Sequence, residues 1–145
     1  MYELVKQKSW GIRILSGLAI FFVIAQVLKF MFQERETSTF DMLMKTASAL
    51  NRNAPITIDS MTRFDNALAL SDNRIQFTYT FPKIVKTQVD TILLQQENRK
   101  EILNRIKTTP EMSFFVENNV DVIAKYYDKE GNYICTLNIS HNDYK

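Results

Sequence analysis

The run from Ile14 to Phe32, ILSGLAIFFVIAQVLKFMF, is apolar throughout except for Ser16, Gln26 and Lys29. At about 1.5 Å of rise per residue a helix of this length reaches about 28 Å, close to the roughly 30 Å hydrocarbon core of a bilayer. A helix buried in a water-soluble core keeps a polar stripe, and this run has none. Lys29 lies near its end, from where its ammonium reaches the interface, and Trp10 precedes it at a position suited to the headgroup belt. The run thus predicts a transmembrane helix at 14–32. Val23-Ile24-Ala25 would suit a signal-peptide cleavage site, but Val27, Leu28, Phe30, Met31 and Phe32 carry the apolar run past it, which favours an uncleaved anchor.

Beyond a short polar connector, 33–37, the periodicity changes. Phe40, Leu43, Met44, Ala47 and Leu50 recur at helical spacing, with Ser38 as N-cap and Asp41 three residues on. Asn51-Arg52-Asn53-Ala54-Pro55 breaks this helix, and an extended stretch follows from Ile56 to about Leu70. Ser71-Asp72-Asn73 is a turn signal. From Arg74 to Phe81 the pattern alternates strictly, with Ile75, Phe77, Tyr79 and Phe81 on one side, as in a strand with one buried face. Pro82 ends it. Helical spacing resumes from about Lys83 to Lys107, and Thr109-Pro110-Glu111 opens a short helix through Phe114 and Phe115. A second hairpin closes the chain, with Val120–Tyr127 and Tyr133–Ile139 as strands and Gly131 in the loop.

The fold class that follows is α+β: an N-terminal transmembrane helix and then an α-β-β-α-β-β domain with a four-stranded antiparallel sheet and helices on one face. The segments are 1–13 as a cytoplasmic N-terminal segment, 14–32 as the membrane helix, 33–37 as connector and 38–145 as an extracytoplasmic domain.

Composition narrows the function classes. Of 145 residues 46% are hydrophobic and 23% charged, which excludes disordered and low-complexity chains, and three Gly leave no Gly-rich phosphate loop. One Cys excludes an internal disulfide framework and a multi-cysteine metal site. The net charge of +2 is unevenly spread: residues 1–32 hold Lys6, Lys8, Arg13 and Lys29 against Glu3, leaving the rest near neutral. A near-neutral body lacks the basic stripe that phosphate-backbone binding needs, so nucleic acid is not an expected partner. Bases ahead of the apolar run orient it with the N-terminus in the cytoplasm and residues 33–145 outside, as a single-pass protein of a bacterial inner membrane with a periplasmic domain.

The chemistry-bearing residues are sparse. His141 is the only histidine and has Asp143 as its near neighbour, which is too few ligands for a metal; it reads as part of a solvent-exposed tail. Cys135 shares a strand face with Leu137 and Ile139, a core position rather than a catalytic one. Asp59, Thr62, Arg63 and Asp65 form the densest polar cluster in a strand-like stretch. Arg63 between two acids suits ion pairing or a partner's anionic group, and Asp59 with Asp65 could form an acid–base carboxylate pair. Tyr79 and Tyr127 belong to an aromatic-rich sheet whose open side would suit a protein interface. Within the apolar run, Gly17 is small enough for close helix packing and Gln26 could hydrogen-bond across helices.

Three stretches carry a resemblance: Ala54-Pro55-Ile56-Thr57-Ile58-Asp59 through Thr62-Arg63-Phe64-Asp65, then Phe77-Thr78-Tyr79-Thr80, then Tyr126-Tyr127-Asp128-Lys129-Glu130-Gly131. Over most of 38–145 the chain resembles a group of small bacterial exported proteins, with a leading hydrophobic segment and a helix–hairpin–helix–hairpin domain and no activity to carry over. The two cysteines often found in that group correspond to Lys107 and Tyr144, so the disulfide they imply is missing.

The expected function is that of a membrane-anchored accessory or binding subunit of a bacterial envelope complex, without cofactor or metal, more a binding protein than an enzyme. Its candidate contact residues are Asp59, Arg63, Asp65, Tyr79 and Tyr127, with Gly17 and Gln26 for assembly in the membrane. Its expected partners are the lipid bilayer and another membrane or periplasmic protein, with self-association open as well. The alternatives are a periplasmic inhibitor or immunity protein and, further off, a small hydrolase using Asp59 and Asp65.

Overall fold

A computed structural model describes residues 38–145. The expected membrane helix at 14–32, with Gly17 and Gln26, lies outside the described residues, and among these no helix is long and apolar enough to cross a membrane.

Helix α1 spans Thr39–Asn51, and its start is fixed by Ser38, whose hydroxyl accepts the Asp41 N–H and donates to the Asp41 carboxylate at 2.7 Å. Strands β1 (Ile56–Thr57), β2 (Arg63–Leu70) and β3 (Arg74–Thr80) follow, then helix α2 (Thr91–Thr108), the five-residue helix α3 (Ser113–Glu117), and strands β4 (Asp121–Tyr127) and β5 (Tyr133–Ile139). The five strands form one sheet in the order β1-β2-β3-β4-β5.

This corrects the expected four-stranded antiparallel sheet in two respects. The stretch from Ile56 to Leu70 is not one extended segment. Ile58 and Asp59 both donate their N–H groups to the Thr62 carbonyl and Met61 donates to the Asp59 side chain, so the chain reverses and β1 pairs back on β2 as a fifth strand. The central pair, β3 and β4, is parallel, with Ile75 opposite Val122, Phe77 opposite Ala124 and Tyr79 opposite Tyr126. Each hairpin alone is antiparallel, as its alternation implies. Between the hairpins, however, the chain crosses back through α2 and α3 and re-enters the sheet from the end where β3 began. A crossover of this kind gives a parallel neighbour. Alternation within a strand carries no information about the direction of the strand beside it.

Helix α2 also begins later than its pattern implies. Residues 83–90 are a loop with a 3₁₀ turn at Lys86–Gln88, and Asp90 caps α2 by accepting the Leu93 N–H at 3.0 Å.

One face of the sheet is covered. Phe64, Ile75, Phe77, Val122, Ala124, Leu137 and Ile139 pack against Leu43, Ala47 and Leu50 of α1, Leu94, Ile102 and Ile106 of α2, and Phe114 and Phe115 of α3 in one continuous core. The expectation of helices on a single face holds. Both helices also reach edge backbone of the sheet. Asn51, the last residue of α1, clasps the backbone of Ala67 on β2 twice: its amide donates to the Ala67 carbonyl at 2.8 Å and its oxygen accepts the Ala67 N–H at 2.7 Å. On the other edge Gln95 and Arg99 of α2 donate to the Thr136 and Asn138 carbonyls of β5. Open strand edges invite pairing with a foreign strand, and here side chains occupy bonding positions at Ala67, Thr136 and Asn138.

The C-terminus is not a free tail. A 3₁₀ turn at His141–Asp143 is capped by Ser140, and Tyr144 is buried, its hydroxyl donating to the Val120 and Phe115 carbonyls. His141 corrects the expectation of a solvent-exposed residue. Its ring Nδ1 lies 2.8 Å from the Asp121 carboxylate, which also accepts its backbone N–H.

Candidate functional site

No helix among the described residues covers the opposite face of the sheet, and it is where the surface chemistry of the strands collects. Alternation sends Leu68 and Leu70 of β2, Gln76 and Thr78 of β3, Ile123, Lys125 and Tyr127 of β4, and Thr136 and Asn138 of β5 to this side. Leu68 is 50% exposed and Tyr133 47% exposed, large values for apolar side chains on a sheet.

At one end of this face sits the Arg63–Asp65 pair. A bulge in β2 between Phe64 and Asn66 places both side chains on the open side, 2.5 Å apart through the Arg63 Nε and an Asp65 oxygen. The other Asp65 oxygen accepts the Thr80 hydroxyl at 2.5 Å. Asp65 is thus held by two donors, and the Arg63 side chain is half-exposed. Along the same end of the face Tyr127 and Tyr133 form an edge-on ring pair with centroids 6.0 Å apart, and Tyr133 donates its hydroxyl to Thr136 at 2.9 Å.

Of the residues expected to meet a partner, Arg63, Asp65 and Tyr127 come together on this surface. Asp59 lies in the β1–β2 turn, where one carboxylate oxygen accepts the Met61 N–H at 2.7 Å. Tyr79 must be withdrawn from the contact set. It is buried, its ring stacked on Tyr126 at 5.3 Å with Phe64 at its other side, and burial pushes its hydroxyl pKa well above the usual value. The strand alternation that placed it with Ile75 and Phe77 already marked it as core. Tyr126 continues the stack to Phe81, and the buried Asn98 of α2 hydrogen-bonds its hydroxyl.

Tyr133 is the residue that periodicity misplaced. Strict alternation groups it with Cys135, Leu137 and Ile139. A register shift beside Tyr127 puts Tyr127 opposite Tyr133 while Tyr126 stays opposite Cys135, so the intervening Ile134 is buried and Tyr133 emerges on the open side. Two adjacent apolar residues, Ile134 and Cys135, next to a five-residue loop are the sequence trace of that bulge. Cys135 is in the core as expected, and burial pushes its thiol pKa up to about 11.

The loop after β4 is organised by Asp128, a buried carboxylate. Burial alone would raise its pKa. The backbone N–H groups of Lys86, Asn132 and Glu130 and the Asn132 amide outweigh it and hold Asp128 at about 2. Asp128 therefore ties the segment after β3 to the second hairpin. Arg99 makes a comparable tie at the other end of β5, pairing with Asp143 at 2.6 Å. No set of three or more His, Cys, Asp or Glu side chains among the described residues is grouped as a metal would need.

Comparison with known proteins gives the fold a structural neighbour. No family model matches the chain. No curated protein matches it by sequence either. Its fold is similar to the crystal structure of a candidate secreted protein from Pseudomonas aeruginosa, with a TM-score of 0.59 at 9% identity, over 74% of this chain and 93% of the other. At that identity the likeness is one of architecture alone.

Proposed function

We propose that the protein is a membrane-anchored binding subunit of the bacterial cell envelope, whose domain of residues 38–145 works outside the cytoplasmic membrane and meets a protein partner through its open sheet face. The observation that carries this reading is the sheet itself: helices cover one face, and the other carries exposed Leu68 near the β2–β3 turn and, at the opposite end, exposed Tyr133 in the same row as the half-exposed Arg63. An exposed aromatic and an arginine on a rigid support are the residue types that anchor protein interfaces.

The apolar run at 14–32, with its bases on the N-terminal side, supports anchoring with the domain outside. Architectural likeness to a candidate secreted protein agrees with export. A hydrolase built on Asp59 and Asp65 has less support, since both Asp65 oxygens are engaged by Arg63 and Thr80.

The test is affinity purification of the full chain from native membranes in mild detergent, compared with Leu68→Lys and Tyr133→Ala. A reproducible envelope protein that co-purifies with the wild type and is lost with both variants, each still folded by circular dichroism, is the expected result. Co-purification unaffected by either change would refute the open face as the contact surface.

A further inference from the structure

Five large apolar side chains among the described residues are exposed: Phe40, Met44, Leu68, Ile92 and Tyr133. Only Phe40 and Met44 share one element at helical i, i+4 spacing, so only they lie side by side, in the first two turns of α1. The neighbouring face of α1, with Met42, Leu43, Thr46, Ala47 and Leu50, is committed to the core, and Phe40 and Met44 flank it half-exposed. Packing among the described residues therefore leaves the outer part of the Phe40–Met44 surface uncovered.

Its place along the chain sets it close to the apolar run. The apolar run ends at Phe32, and only residues 33–39 separate it from Phe40. Fully extended, that separation spans at most about 28 Å, and any bend shortens it. The end of the domain where α1 begins is also identifiable. Thr39 donates its hydroxyl to Asn118, and Asn118 accepts in turn from Asn73 in the β2–β3 turn. The start of α1 therefore lies beside the Ser71–Asn73 turn and the beginning of β4, while the β4–β5 loop with Lys129 lies at the opposite end of the strands.

We infer that the Phe40–Met44 face of α1 rests on the lipid surface beside the anchor and orients the domain, with the β4–β5 loop and the Arg63–Tyr127–Tyr133 end of the sheet directed away from the bilayer. The inference rests on the anchoring reading above. Two adjacent apolar side chains on a short helix bind a membrane poorly by themselves. Tethered next to it, they enter the headgroup region without the cost of bringing the domain to the surface. The consequence is a fixed presentation of the Arg63–Tyr127–Tyr133 end of the proposed contact face to a partner in the compartment, with Leu68 at the end nearer the membrane.

The full chain is reconstituted in vesicles of phosphatidylcholine with phosphatidylglycerol and given a nitroxide at Met44→Cys or, separately, at Lys129→Cys, both exposed positions; Cys135 is buried and the unsubstituted chain serves as the blank. Resistance to carbonate extraction is measured on the same vesicles. The expected result is an extraction-resistant chain in which the label at 44 collides with oxygen, relative to a water-soluble nickel chelate, several-fold more than the label at 129. Equal, water-like ratios at both sites in an extraction-resistant chain overturn the surface contact while leaving the anchor intact. Dipolar broadening at 44 that disappears on dilution with unlabelled chain overturns it in favour of a second copy covering α1. Release of the chain by carbonate overturns the anchoring itself, and the surface contact with it.

Discussion

The Asn51 clasp on Ala67 is a sharp test of how the domain is held together. Replacing Asn51 with Ala removes both hydrogen bonds, at 2.8 and 2.7 Å, and leaves the Ala67 N–H and C=O without a side-chain partner on a residue that is 3% exposed. A net hydrogen bond is worth about 1 kcal/mol, and a backbone group left dry costs about 1–3 kcal/mol. If water enters the vacated edge, the loss is about 2 kcal/mol; if the edge stays dry, it approaches 4 kcal/mol. Urea unfolding of the 38–145 domain, followed by circular dichroism, reads this directly. The midpoint should fall by about 1–2 M with an unchanged slope, given a typical slope of about 1–3 kcal/mol/M. The thermal midpoint should drop by at least about 8 °C, since each kcal/mol moves a domain of this size by about 4–8 °C. Ser48→Ala, an exposed change on the same helix, should stay within about 0.5 kcal/mol. A loss below about 0.5 kcal/mol for Asn51→Ala would show that the clasp is not a structural bond and that the edge is closed by something else.

Three further outcomes follow from the same contacts. Asp128 has a folded pKa of about 2 against an ordinary value of 3.8, so its contribution is fully present above the unfolded value and is lost as pH falls from about 4 through 2; the urea midpoint should decline over that window in the wild type and less steeply in Asp128→Asn. The Cys135 thiol, buried and raised to about 11, should resist a disulfide reagent at pH 8 in the folded protein and react promptly in urea, whereas rapid stoichiometric labelling of the native domain would place it outside the core. Phe115→Ala should cost about 3–5 kcal/mol because the ring is fully buried, and Tyr133→Ala clearly less, about 1 kcal/mol, because the residue is half-exposed, a contrast that chemical denaturation of the two variants checks.

Local order was legible wherever one residue or one short period decides it. The Ser38 cap, the Ser71–Asn73 turn with positive φ at Asp72 and Asn73, and Gly131 at φ +82° each depend on the conformational preference of a single side chain or its absence. The buried faces of β3 and β4 depend on a period of two. What stayed hidden depends on contacts between distant segments: the parallel β3–β4 pair, the fold-back of β1, and the capture of Tyr144 by Val120 and Phe115. The proposed contact surface was half legible for the same reason. Arg63, Asp65 and Tyr127 could be picked as polar or aromatic residues on strands, but the face of Tyr133 is set by one extra residue beside Tyr127, which periodicity does not count. The edge-closing residues Asn51, Gln95 and Arg99 look like ordinary helix-surface residues until the strands they cap are in place.

The parallel seam between β3 and β4 has a consequence for how this domain comes into being. Each half of the sheet is assembled from neighbours in the chain, with β1 to β3 before the crossover and β4 to β5 after it, so each half needs only short-range loop closure. The seam alone demands that the intervening forty residues, 81–120, be gathered first. Synthesis would then deliver two preformed ribbons and join them last. A break in the exposed stretch near Lys83 would sever no strand, which makes this the place to divide the gene into two pieces whose reunion reports on the seam.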